Sequence, residues 1–453
     1  MQHVVDALAS FQESCRKYLR GHRHTVYILA TPSFASWLEA SSGFIPKALQ
    51  SVFGPSKSIH VDVVCAVVDG LAPRLTSRKD PSGEGFSILH RPKSQHDSWV
   101  QDATVSSPTL QSTLTIKRKQ ITLTLPLANT LFKNGRHSTL LLSRWKSSDT
   151  SFKLDRAQIE KQNVTLAGLA EKLYDPVPIR IPSIPLTPVR RIQDGLGNIV
   201  RTIDFGQGGV KNVGPASREL EQSVTEYLAQ EGHGSSTVNV WALIIPQDTN
   251  LAHFARRMEA EGTLNIGVDV PLLRIKNPFS SMVKRQYVGQ LIRRGAILCR
   301  VLSGGGGWGA KQGLLSLDPQ TTYSTSNESR YDDSEGSPDR QQVSALGNLA
   351  QEGAFIQFLV APKGLKGFEP LEENDEEYAK FTRQSTAFGV VPSTVDDIPD
   401  EKQEKPEFDV QVHLGHFGCV SESGLFFRAP KKGGLNPSIV ETKIDLPYSY
   451  AYL

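Results

Sequence analysis

Thr25-Val-Tyr-Ile-Leu-Ala30, followed at once by Thr31-Pro-Ser33, decides the class of fold. A run of six uncharged residues rich in β-branched and aromatic types leaves no polar face for water, so it reads as a strand buried on both sides. Thr31-Pro-Ser33 supplies a turn and a helix N-cap. Helical spacing then continues through Phe34, Trp37 and Leu38 and, after Gly43-Phe-Ile-Pro46, through Ala48, Leu49 and Phe53. Ile59-His-Val-Asp-Val-Val-Cys-Ala-Val-Val68 is the next strand, ended by Asp69-Gly70. Strand, helix, strand in this order predicts an α/β layer.

Upstream, Val4, Val5, Leu8, Phe11, Cys15, Tyr18 and Leu19 recur at helical spacing, with Arg16, Lys17, Arg20 and Arg23 toward the end. A basic amphipathic helix of this kind suits either a mitochondrial presequence or the first helix of the domain, and Asp6 and Glu13 weigh against import. Downstream, Gly85-Phe-Ser-Ile-Leu-His90, Leu114-Thr-Ile116, Ile121-Thr-Leu-Thr-Leu125 and Ser138-Thr-Leu-Leu-Leu-Ser143 read as further strands. Asn134-Gly135 marks a turn before the last of them.

Phe152, Leu154, Ile159, Leu166, Leu169 and Leu173 among charged neighbours predict a helix over 151–173. Pro176, Pro178, Pro182, Pro185 and Pro188 then enforce extended backbone, and the interleaved Ile181, Ile184, Leu186 and Val189 indicate a packed strap rather than an exposed proline-rich ligand. A second unit opens with a helix carrying Leu220, Val224, Tyr227 and Leu228 on one face, followed by the strand Thr237-Val-Asn-Val-Trp-Ala-Leu-Ile-Ile-Pro246 and a helix through Leu251, Phe254 and Met258. This repeats the strand-to-helix form at Thr25 and suggests a duplication. The polar stretch from Thr321 to Gln342 reads as a disordered insertion, and Phe408-Asp-Val-Gln-Val-His413 and Gly424-Leu-Phe-Phe-Arg428 as late strands with His416 in the turn between them.

The resulting expectation is an α/β fold of α+β character, with two mixed-sheet domains joined by a Pro/Gly-rich strap. Its parts are an N-terminal helix over 1–24, an α/β domain over 25–150, a helix and linker over 151–215, a second α/β domain over 216–320, an insertion over 321–350 and completing strands over 351–453.

Four scattered cysteines without C-x-x-C spacing argue against a disulfide scaffold or a zinc site and for a reducing, intracellular setting, cytoplasmic or mitochondrial. His413, His416 and Cys419 lack a fourth ligand, so no metal and no cofactor is expected. A net charge of +3 over 453 residues is too mild for a nucleic-acid binder, and no apolar run approaches the about 20 residues of a transmembrane helix.

Ala296-Ile-Leu-Cys-Arg-Val-Leu302 runs into Ser303-Gly-Gly-Gly-Gly-Trp-Gly309-Ala-Lys-Gln-Gly313, the strongest local candidate for a site. Gly304, Gly306 and Gly309 satisfy G-x-G-x-x-G, yet Gly313 and Pro319 interrupt the helix a dinucleotide fingerprint must open. Lys311 falls one place late for a phosphate-binding P-loop, with no Ser or Thr after it. What remains is an amide cradle for a carboxylate or phosphate, built from Gly304, Gly305, Gly306, Gly307 and Gly309 with Lys311 as counter-charge and Trp308 as a wall. The bland counterpart is a glycine-rich turn where backbones pack closely and Trp308 fills core.

The passage from Ile45-Pro-Lys-Ala-Leu-Gln-Ser-Val-Phe-Gly54 through Val63-Val-Cys-Ala-Val-Val-Asp-Gly70 to Gly85-Phe-Ser-Ile-Leu89 resembles the N-terminal part of FIST domains, with Ser138 to Ser143 matching the strand that follows. The resemblance spans residues ~25–145, about a third of the chain. It implies a small-ligand sensory module, with amino acids as the suggested ligands. The segment before Thr25 is too short for an accompanying F-box, and no transducer domain is visible. The expected function is therefore a non-enzymatic small-ligand-binding or sensory module. The alternatives are an enzyme holding a small carboxylate or phosphate at the glycine-rich loop and a scaffold component of a mitochondrial assembly.

Overall fold

The computed structural model describes residues 1–16, 23–54, 59–73, 83–92, 111–148, 151–167, 179–206, 210–230, 238–247, 287–304, 313–323, 349–362, 385–392, 411–431 and 438–453. The chain has an α/β fold with helices and several mixed or antiparallel sheets. Helix α1 (Gln2–Arg16) leads into β1 (Arg23–Ala30), a 3-10 turn (Pro32–Leu38), α2 (Phe44–Phe53) and β2 (His60–Val67). The short β3 (Gly70–Leu71) precedes β4 (Phe86–Pro92), β5 (Thr113–Arg118) and β6 (Ile121–Pro126). A single helical turn α3 (Leu131–Asn134) then connects to β7 (Leu140–Ser147), β8 (Phe152–Glu160) and β9 (Asn163–Ala167).

Strands β10 (Ile179–Arg180), β11 (Ile184–Pro185), β12 (Arg190–Leu196), β13 (Ile199–Asp204) and β14 (Val213–Pro215) come before α4 (Ala216–Gln230) and β15 (Val240–Ile245). After a short helix at residues 287–293 come β16 (Ile297–Gly304), β17 (Leu315–Leu317) and β18 (Phe355–Val360). The chain closes with β19 (Ser385–Val390), β20 (His416–Ser421), β21 (Leu425–Pro430), β22 (Ile439–Ile444) and β23 (Tyr450–Tyr452).

The first sheet runs β4-β1-β2-β7-β8, and β1 and β2 lie parallel in its middle. Strand parity explains the unbroken apolar runs. Val26, Ile28 and Ala30 of β1 and Val61, Val63, Cys65 and Val67 of β2 pack toward α2, whose Phe44, Ile45, Ala48, Leu49, Val52 and Phe53 are buried. The alternate residues, Tyr27, Leu29, Val64 and Ala66, enter a second and larger core. Helix α1 packs on α2, where the Ser51 hydroxyl donates to the Val5 carbonyl (2.7 Å).

Strands β12, β13, β17, β16, β15 and β18 form a closed antiparallel ring, since β18 pairs β15 on one side and β12 on the other. Val240, Ala242, Ile244, Ile356 and Phe358 fill it together with Leu220 and Tyr227 of α4, while Trp241, Leu243 and Ile245 point outward into the core shared with the first sheet. Closure leaves this ring without free edges. Two further sheets, β22-β21-β6-β5-β9 and β10-β23-β19-β20-β3, mix early and late strands.

Three expectations are corrected. Residues 152–160 and 163–167 are strands, not a helix: β8 takes the backbone hydrogen bonds offered by β7, and β9 those of β5, so ladder pairing overrides helical spacing. On β8, Leu154 and Ile159 are 44% and 46% exposed, so the apolar positions form no helical stripe. The supposed linker also supplies β10 to β13. The turn Gly195-Leu-Gly197-Asn198 closes a hairpin with Gly197 at φ +60°, and the Asn198 side chain donates to the Leu317 carbonyl (2.6 Å). Third, His416 opens β20 rather than sitting in a turn. Residues 411–413 carry no strand, and 408–410 lie outside the described residues. Pairing also crosses the expected divisions near 150 and 350, because β5 and β6 share a sheet with β21 and β22. The expected helix at Leu251 to Met258 and the insertion beyond Tyr323 lie outside the described residues as well.

Candidate functional site

At its amino-terminal edge the inner face of the first sheet turns from apolar to charged. His60 and Asp62 continue the face of β2 that Val64 and Ala66 bury further along, because side chains two apart share a face. Arg23 holds the equivalent position on β1, opposite His60 in the parallel register, and Arg144 on β7 lies opposite Asp62. With Asp155 of β8 these residues line a pocket of about 220 Å³.

Asp62 is 2% exposed and accepts two hydrogen bonds from Arg144, Nε to Oδ1 at 2.6 Å and Nη2 to Oδ2 at 3.1 Å. Those bonds, with the Asp62 and Asp155 charges behind them, hold the Arg144 guanidinium above its ordinary pKa. His60 Nδ1 stands 3.9 Å from Asp155 Oδ2. The pairing of β7 with β8 shifts register on either side of Arg144, and the second shift leaves Asp155 without a cross-strand partner. That bulge aims an extra carboxylate at the pocket, and such bulges recur beside binding sites. The Arg23 guanidinium is exposed and forms no hydrogen bond or ion pair among the described residues. Thr25 lies beside Asp62 in register. It is 3% exposed, and its hydroxyl has no hydrogen-bond partner among the described residues.

Two guanidinium groups, two carboxylates and an imidazole around one small cavity can meet both ends of a dipolar molecule. A buried ion pair of this kind adds little net stability over apolar residues of similar volume. The signal was present in the sequence. His60 and Asp62 interrupt an apolar strand at positions i and i+2, a period that sets both on one face.

Of the residues singled out earlier, Gly304 ends β16, opposite Leu315 of β17. Gly305, Gly306, Gly307, Trp308, Gly309 and Lys311 lie outside the described residues. The described strands on either side of that segment, β16 and β17, pair antiparallel. Its far end, Gly313, sits at φ +87°, close against Pro215, and its carbonyl accepts the Ser217 amide of α4 (3.4 Å).

Other polar groups tie the fold together. His24 is fully buried, and its Nδ1 lies 3.1 Å from Nε2 of His90 with Phe53 against both rings. Burial, and secondly the neighbouring His24, push His90 down to about 4. Asp69, just beyond β2, accepts the Glu422 amide (2.9 Å). Burial pushes its carboxyl up to about 6, the Glu422 charge adding to the shift. Lys443 reaches Asp318 (3.4 Å), Asp445 (3.8 Å) and Gln320 (3.1 Å), and the Trp241 indole donates to Asp445 (2.7 Å), joining the closed ring to β22. Cys65, Cys299 and Cys419 are buried with their thiols pushed up by desolvation, which deprives them of nucleophilic character. His416 donates to the Ala72 carbonyl (2.8 Å). Among the described residues, no group of three or more His, Cys, Asp or Glu is placed to hold a metal, and no helix is long and apolar enough to cross a membrane.

Comparison with known families, curated proteins and solved structures returns no match to this chain.

Proposed function

We propose that this chain is a small-ligand-binding or sensory module of the FIST type whose ligand sits in the charged pocket at the amino-terminal edge of the first sheet. The observation that carries the reading is that the bulge-presented Asp155 and Arg23, which has no ion pair among the described residues, line one pocket with the Asp62–Arg144 pair. Arg23 and Asp155 offer opposite charges to a molecule bearing a carboxylate and an ammonium group, the chemistry of an amino acid. The FIST resemblance implies the same ligand class.

Thermal-shift screening of the full chain against amino acids, simple carboxylates and simple amines tests this. Saturable stabilisation is expected from dipolar compounds, and Arg23→Ala, a surface change that spares folding, is expected to lower affinity about tenfold or more. Stabilisation that survives Arg23→Ala but is lost in Lys311→Ala or Gly306→Val would move the site to the glycine-rich segment. Turnover of the bound compound would replace the sensor by the enzyme reading.

A further inference from the structure

The connection between β6 and β7 lies at the other end of the first sheet from the pocket. At its apex Phe132 is 97% exposed and Leu131 39%, the highest exposure of any large apolar side chain being that of Phe132 among the described residues. A mobile loop would fold such residues away, but this one is held open by its own hydrogen bonds. Thr130, fully buried, donates its hydroxyl to the Arg136 carbonyl (2.9 Å) and lies 2.8 Å from the Thr139 hydroxyl. The Asn134 side chain donates to Thr139 Oγ1 (2.9 Å) and accepts the Arg136 amide (3.3 Å). Asn129 Oδ1 accepts the Leu131 amide (3.0 Å). Gly135, at φ +77°, closes the turn by donating to the Leu131 carbonyl (3.0 Å), a C-cap that a side chain would strain. These bonds brace the turn's backbone with the apex pointing outward.

We propose that Leu131 and Phe132 form a knob that inserts into the interfacial zone of a lipid bilayer. Three features favour lipid. Phe132 stands almost wholly in solvent, and a fluid bilayer accepts a protruding side chain without a matching cavity. The two side chains present on the order of 250 Å² of apolar surface, well short of the roughly 800 Å² per partner that a specific protein contact takes. Finally, α3 packs against the 3-10 turn that carries the half-buried Phe34 and Trp37, ring neighbours 5.0 Å apart, and aromatic residues behind an apolar tip suit the headgroup level of a bilayer. Lys133 at the apex is exposed and forms no ion pair among the described residues, while Glu39 and Glu160 share Arg136 at the base. The local charge is thus balanced, and the cation is the member placed nearest the leaflet.

The test is co-sedimentation of the full chain with large vesicles of phosphatidylcholine containing about one quarter phosphatidylserine, a composition that supplies the anionic surface. Wild type is expected to pellet with the vesicles. Phe132→Ser should lower the partition coefficient about tenfold or more, and Phe132→Leu should stay within about threefold of wild type. The circular dichroism melts of all three should coincide. Wild type that stays in the supernatant, or equal partitioning of Phe132→Ser, overturns the proposal. So does a Phe132-dependent self-association seen without vesicles, which would assign the knob to a protein contact.

Discussion

The two ends of the first sheet are made from the same strands and do opposite things with their polar groups. At the amino-terminal edge one charge pair is buried, Asp62 bound to Arg144, with the exposed Arg23 and Asp155 at its rim. At the carboxyl-terminal edge the hydrogen bonds are spent inside a turn, and the apolar residues Leu131 and Phe132 are left outside. Both invert the ordinary rule of apolar inside and charged outside. The difference lies in cost: a buried ion pair loses stability when either member is removed, whereas an exposed knob contributes almost nothing to folding.

The largest effect is therefore expected at Asp62. Asp62→Ala leaves the mostly buried Arg144 without its bidentate partner and should lower unfolding stability by about 3 kcal/mol in a denaturant titration. Replacing both members, as Asp62→Val with Arg144→Val, should recover most of that loss while abolishing binding. Failure to recover would mean that the pair is kept for stability, and the contrast between the two ends would lose its meaning.

A pH titration of stability is expected to show a slightly smaller effect. His90 titrates near 4 in the fold and near 6.5 when unfolded, so between these values the unfolded chain binds the extra proton. Its contribution is fully present above about pH 6.5 and is lost as pH falls toward 4, at most roughly 3 kcal/mol. Asp69 has the opposite sign. Its folded value, raised to about 6, makes the folded chain hold the extra proton above 3.8, so that contribution is lost as pH rises through this window. Asp69→Asn keeps an acceptor for the Glu422 amide and should stabilise the chain by about 1–2 kcal/mol at pH 7, steepening the acid limb that His90 controls. An unchanged profile in this variant would remove Asp69 from the account.

Phe132→Ser should be the smallest, within about 0.5 kcal/mol of wild type by thermal melting. A larger loss would show the knob to be packed, and the comparison would fail at its other end.

Much of the first sheet was legible because its strands are buried on both faces, and Thr25 to Ala30 and Ile59 to Val68 have no other reading. The helical reading failed over 152–167 because β8 is an edge strand, where charged residues surround few buried ones and the backbone pairing is decided by β7, and β9 pairs with β5; 168–173 lie outside the described residues. The closed ring was hidden for a related reason. Its strands come from the apparent linker, from Val240 to Ile245, from 297–317 and from residues beyond 350. Apart from the β12–β13 hairpin, the pairings that close it, β18 with β12 and β15 and β13 with β17, are long-range and leave no local signature. Arg23, His60, Asp62, Arg144 and Asp155 are scattered over more than 130 residues of sequence, and only the strand order gathers them. The glycine-rich segment stood out as a local motif; the pocket depends on tertiary register.

The central claim, that this pocket receives a small dipolar ligand, is tested most directly by calorimetric titration of the best stabilising compound into wild type and Arg23→Ala. The account predicts one site per chain in wild type and a Kd raised about tenfold or more in the variant, with Lys311→Ala unchanged. Equal affinity in wild type and Arg23→Ala, with both folded, would contradict it.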